Sequence, residues 1–150
     1  MSPHLSQETW ETVVQSVPIV SVDLVVHHDD GIVLGKRTNE PAKGEWFVPG
    51  GAVHKHERLR DAVGRITIEE LGVSVTIERK LGAYEHFYDA ADVEDAGGKH
   101  YVPIAFEVRT DDGTLAPDDQ HADIRVFEPP LEIDLHPYVR DYLADAGVLA

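Results

Sequence analysis

Cysteine is absent from this chain, and methionine occurs once. Without cysteine there can be no disulfide and no thiolate metal site, which fits a reducing, cytoplasmic setting. Basic residues are few: 13 Lys and Arg stand against 28 Asp and Glu, for a formal net charge of -15. That imbalance argues against general binding to nucleic acid or to anionic membranes, since both would be repelled. No apolar run approaches the ~20 residues that span a bilayer. The opening MSPHLSQETW also lacks the basic-then-apolar order of a secretory signal. Internal repeats, linkers and low-complexity tracts are missing too. The 150 residues are therefore expected to form a single domain over 1–150, of a size that buries roughly 68–70% of its unfolded surface.

The acids are spread along the chain and not gathered in a tail. Dispersed acid with scarce lysine suits a proteome working in high salt, where screening over ~3 Å at 1 M removes self-repulsion. A mildly acidic mesophilic enzyme is the plainer reading. In either case a phosphate-bearing ligand would need local cations, from a divalent metal or a few arginines.

The apolar periodicity outlines a mixed sheet with helices packed on it. Ser6 can cap a short helix carrying Trp10, Val13 and Val14, which Pro18 ends. Ile19 to His28 is a β-branched strand, Asp29-Asp30-Gly31 a hairpin turn, and Ile32 to Lys36 the returning strand. Trp46 to Val48 is a short strand. Val73 to Tyr88 reads as one long strand or two broken near Gly82. Asp89 to Gly98 is an acidic loop, Lys99 to Arg109 a strand, Asp111 to Asp119 a turn-rich connection, and Ile124 to Phe127 a last short strand. Pro137 opens a final helix with Val139, Tyr142 and Leu143 inward and Gly147 at its end.

The chemistry concentrates in Gly50 to Val73, GGAVHKHERLRDAVGRITIEELGV. A glycine pair leads into a polar turn, and Glu57 to Leu71 reads as a helix. At about 100° per residue, Leu59, Ala62, Val63 and Ile66 form a core stripe, and Glu70 continues it. A carboxylate on an apolar stripe is costly unless paired or bound to metal. Arg65 can pair with Glu69 one turn on. Two readings follow: a carboxylate facing a glycine loop, suited to Mg²⁺ or Mn²⁺, or a helix end with two solvated acids.

This stretch closely resembles the Nudix box. Gly51, Glu57, Arg65, Glu69, Glu70, Gly72 and Val73 stand at the box positions with every spacing kept. Two positions depart: Ile66 replaces a glutamate, and Thr67 replaces an aliphatic residue. Loss of that glutamate removes one of the three carboxylates that usually bind several metals. The resemblance implies an α+β Nudix fold, a mixed β-sheet sandwiched between α-helices as an α/β/α sandwich.

The departure points to a subfamily, the GDP-mannose mannosyl hydrolases, which the chain resembles over roughly Val13 to Phe127. PIVSVDLVV, LGKRTNEPAKGEWFVPGG, YEHFYD, KHYV and DDQHADIR carry the likeness. It implies hydrolysis of GDP-mannose or GDP-glucose to GDP and free sugar. The resemblance further implies attack of water at the anomeric carbon with inversion, one Mg²⁺ (or Mn²⁺) and a homodimer. By the same resemblance Glu70, the Gly50 carbonyl and Gln120 hold the metal, while Glu69 is either supporting or solvated. His121 is the general base and Arg37 neutralises the diphosphate. Tyr101 and His86 lie near the leaving group, and Asp23 contacts the sugar. Arg65 either assists phosphate or holds the carboxylates; its i,i+4 relation to Glu69 favours the latter. Ala52 stands where the subfamily often has arginine. The alternatives are a Nudix pyrophosphohydrolase attacking phosphorus and a non-catalytic nucleotide-sugar sensor.

Overall fold

The computed structural model describes residues 5–89, 91, 97–110, 115 and 121–149. Its frame is β1 (Ile19–His28), a ten-residue run whose two faces are both covered. Val22, Leu24 and Val26 point to one core, and Val25 points to the other. A strand covered on both faces reads as a near-continuous apolar run, as this one does. β1 turns through Asp29-Asp30 into antiparallel β2 (Gly31–Arg37), with His28 opposite Gly31. On its other side it runs parallel to β7 (Lys99–Thr110), from Ile19 opposite Tyr101 to His28 opposite Thr110.

The sheet continues outward on both sides. β3 (Trp46–Phe47) and β8 (His121–Phe127) pair antiparallel with β2. β5 (Thr76–Ala83) and β6 (His86–Tyr88) pair antiparallel with β7. β8 begins three residues earlier than the apolar run Ile124 to Phe127 suggests, because its backbone follows β2 as far as Arg37 opposite His121. The break between β5 and β6 falls at 84–85, not at Gly82. Gly82, at φ 132°, is absorbed inside β5 as a register shift.

Helices cover both faces. α2 (Leu59–Leu71) lays Ala62, Val63, Ile66 and Leu71 on Val22, Leu24, Val26 and Phe106. α3 (Pro137–Asp145) lays Val139, Tyr142 and Leu143 on Val25, Ile32, Leu34 and Ala105. α1 (Gln7–Ser16) is capped by Ser6, whose hydroxyl accepts from the Thr9 amide at 3.2 Å, and packs Trp10 and Val14 on Ile19. The result is the expected mixed sheet between helices. No described helix is long and apolar enough to cross a membrane.

Two local expectations change around the glycine pair. Gly50 and Gly51 are not only a turn: β4 (Gly50–Ala52) pairs antiparallel with Ser21 to Asp23 of β1. A Cβ at Gly50 would collide with the Asp23 carboxylate and lie 2.7 Å from the Val22 carbonyl, so close approach demands glycine there. α2 starts at Leu59, two residues later than the pattern suggests. Glu57 belongs to the preceding turn, where its carboxylate accepts from the His54 amide at 3.0 Å.

Candidate active site

A pocket opens where β1, β4, β6 and β7 meet the end of β2. Ser21 and Asp23 of β1 form its floor with Gly50 and Gly51. Alternation along β1 places Asp23 on the same face as Val25, toward α3. There the Tyr142 hydroxyl donates to Asp23 Oδ2 at 2.6 Å. Burial pushes the Asp23 carboxyl up to about 6, and the Tyr142 bond and the nearby Arg37 charge oppose that rise. Asp23 is thus a buried carboxylate with a raised pKa, hydrogen-bonded by Tyr142 and lying in the field of Arg37.

Arg37 lines the same pocket from the end of β2. Its Nε donates to the Pro41 carbonyl at 2.7 Å, and its backbone closes the following loop through Glu45 and Gly44. The guanidinium is therefore anchored at one edge, which suits a fork aimed at phosphate oxygens.

The opposite wall is aromatic. His86 and Tyr101 face one another across the β6–β7 pairing, and Tyr88 lines the pocket beside them. The His86 ring stacks on Tyr138 at 3.8 Å between centroids and is 3% exposed. Burial, then the neighbouring His136, pushes its pKa down to about 4, so the imidazole is neutral at pH 7. It can donate or accept a hydrogen bond but carries no charge toward a phosphate. Tyr138 is itself fixed: its hydroxyl accepts from the Phe87 amide at 2.9 Å and donates to the Phe87 carbonyl at 3.0 Å.

Beneath β4 lies the acidic end of α2. The buried Glu70 carboxylate, 7% exposed, accepts from the Gly50 amide at 3.3 Å. Glu57 and Glu69 turn elsewhere. Arg65 donates from Nε and Nη2 to Glu57 at 2.8 and 3.0 Å, from Nη1 to Glu69 at 3.1 Å, and from Nη2 to the Ala52 carbonyl at 2.9 Å. These bonds hold the Glu57 carboxyl far down, at about 2. Arg65 thus ties two acids to β4, the holding geometry its spacing from Glu69 suggests. Ile66 sits in the core at 2% exposure, against Gly51.

A divalent cation fits this chemistry in a restricted form. Among the described residues no three His, Cys, Asp or Glu converge. Glu70, buried against a glycine strand, is suited to a hard cation that keeps water and phosphate oxygens in its other positions. Gln120 lies outside the described residues, as does the His121 side chain; the His121 backbone opens β8 opposite Arg37.

The expected residues Asp23, Arg37, Gly50, His86 and Tyr101 thus line one pocket, while Glu69, Glu70 and Arg65 lie on α2. The sequence places Tyr142 only in the core of the last helix and gives neither Tyr138 nor Tyr88 a role in the site. Their signal was weak but present: Tyr138 and Tyr142 are i,i+4 on α3, and Tyr88 is two residues after His86 on one strand face.

A family model for the NUDIX domain matches residues 17–145. A protein of Haloferax volcanii described as "Low-salt glycan biosynthesis protein Agl8" is 58% identical over 140 residues, 93% of this chain and 89% of that protein. An ADP-ribose pyrophosphatase of Methanocaldococcus jannaschii is 32% identical over 130 residues, 84% of this chain and 73% of that protein. A solved MutT NUDIX hydrolase from Burkholderia pseudomallei superposes with TM-score 0.68 at 28% identity, covering 85% of this chain and 97% of that one. The NUDIX domain of Shewanella oneidensis NrtR, solved with ADP ribose, shares the fold at TM-score 0.69 and 16% identity, covering 95% and 97%.

Proposed function

The chain belongs to the Nudix hydrolase family, and from that premise we propose that it hydrolyses a GDP-sugar, GDP-mannose or GDP-glucose, to GDP and free sugar. Water attacks the anomeric carbon from the face opposite the diphosphate. The C1–O bond breaks, GDP keeps the electron pair, the water proton passes to His121, and the sugar inverts. A nucleotide-sugar substrate agrees with the glycan-biosynthesis description of the Haloferax relative, and that source agrees with the high-salt reading of the charge.

The observation that carries this reading is the position of Ile66. It is packed in the core at 2% exposure, where the Nudix box has a metal-binding glutamate, while Glu57 and Glu69 are bonded to Arg65. Such a reduced acid set suits one cation on a leaving diphosphate. It suits less well a cluster that activates water against phosphorus.

Glu70, the Gly50 carbonyl and Gln120 would hold Mg²⁺ or Mn²⁺, which when bound neutralises charge on the diphosphate. Arg37 contributes a second, permanent cation there. Tyr101 and the neutral His86 offer hydrogen bonds to the leaving group. Asp23, whose ionised form Tyr142 and Arg37 favour, accepts from sugar hydroxyls. Glu69 supports Arg65. The same resemblance supports a homodimer, which light scattering would check, and the lack of cysteine supports a cytoplasmic setting.

His121→Gln tests the assignment of the base. It should lower kcat on the order of 10²–10⁴-fold with KM little changed; an unchanged kcat removes His121 from that role. One observation favours a second reading, attack at phosphorus: the 32% identical relative is described as an ADP-ribose pyrophosphatase. Product analysis separates the two, since that reaction yields GMP and a sugar phosphate.

A further inference from the structure

Of the five lysines in the chain, four are exposed and one, Lys99, is buried at 6% exposure. Its position is specific. Lys99 opens β7, and its Nζ lies 4.8 Å from the centroid of the Trp10 ring and 5.1 Å from that of Tyr101. Trp10 comes from α1, and Tyr101 lies two residues further along β7, on the same face as Lys99. Burying an ammonium group is costly, and two aromatic faces return part of that cost through cation–π attraction. Lys99 thus lies between a ring of α1 and a ring of the pocket strand.

Its position bears on the pocket. Tyr101 lines the pocket with Asp23 and Arg37, and its ring meets that of Tyr88 in a T-shaped contact at 6.2 Å. The Lys99 ammonium thus lies against the Tyr101 ring, which also meets Tyr88. Resting on the reading of the pocket as a GDP-sugar site, we infer that Lys99 is a positioning residue, which through the Trp10–Lys99–Tyr101 stack holds the Tyr101 hydroxyl where it meets the leaving diphosphate.

Two measurements test this. The first needs no ligand: ring-¹³C tyrosine spectra of the protein, with the Tyr101 resonance assigned by Tyr101→Phe. Lys99→Met should shift and broaden that resonance, and Lys99→Arg, which keeps a cation between the rings, should leave it close to its original place. The second is a double-mutant cycle in GDP-mannose turnover with Mg²⁺. Lys99→Met should lower kcat about tenfold with KM changed less than about twofold, Lys99→Arg should restore most of it, and Lys99→Met should add nothing in a Tyr101→Phe background.

A Tyr101 resonance that stays in place in Lys99→Met overturns the inference, as do losses that multiply in the double variant. If Lys99→Met does not fold, Trp10→Phe weakens the stack from its other side and should move the Tyr101 resonance in the same direction. A wild-type protein that turns over no GDP-sugar would remove the proposed function, and the ligand-free spectra would still decide the role of Lys99.

Discussion

The Tyr142 hydroxyl donates to the Asp23 carboxylate at 2.6 Å, joining α3 to the middle of β1 across 119 residues of chain. This bond partly offsets the burial of a carboxylate in the pocket floor. It does not fully offset it, because Asp23 still titrates at about 6.

A pH-dependent stability cost follows. The folded pKa of Asp23 lies above the unfolded value, so the native state holds its proton more tightly between about pH 4 and 6. Stability is unaffected below that window, falls through it, and stays lowered above it. Asp23→Asn should therefore stabilise the protein on the order of 2 kcal/mol at pH 7–8 and change little near pH 3.5, as urea unfolding would measure. Tyr142→Phe removes an interaction that lowers the Asp23 pKa, so the window should move upward. A wild-type-minus-variant difference independent of pH would contradict the assignment.

Arg65 should prove a structural clamp with the opposite pH signature. Arg65→Met deprives Glu57, Glu69 and the Ala52 carbonyl of their donor and should cost about 2–4 kcal/mol at pH 7. Glu57 titrates low, at about 2, chiefly through its bonds to Arg65. Its contribution is present above pH ~4.5 and is lost as pH falls toward 2. The gap between wild type and variant should therefore narrow below pH 4 in denaturant titrations, and a constant gap would argue against the clamp.

Glu70→Gln keeps an acceptor for the Gly50 amide but removes the charge a cation would use. The variant should fold within about 1 kcal/mol of wild type. In wild type, Mg²⁺ with GDP should raise the melting temperature and EDTA should reverse the rise. In the variant both effects should vanish, along with at least about 100-fold of kcat/KM. A variant that keeps the Mg²⁺-dependent shift would place the metal elsewhere.

What the sequence reveals depends on how local each cause is. β1 is legible because its apolar, β-branched residues fall in one ten-residue run. The Asp29-Asp30-Gly31 turn and the Pro137 helix start carry their own backbone chemistry. β4 is not legible: two glycines have no strand preference, and their pairing with Ser21 to Asp23 is imposed by tertiary approach. The start of α2 is misplaced because Glu57, a good helix residue, is drawn into the turn by the His54 amide and Arg65. Within the site, residues carried by the box or by short flanking motifs are readable. Tyr142 on Asp23 and Lys99 between Trp10 and Tyr101 are long-range contacts that no local pattern encodes.

The most direct measurement is the fate of oxygen from water. The protein is incubated at high salt with GDP-mannose and Mg²⁺ in ¹⁸O-water, and the products are separated and weighed by mass spectrometry. Attack at the anomeric carbon predicts ¹⁸O in free mannose and none in GDP. GMP with mannose 1-phosphate, one of them labelled, would contradict it.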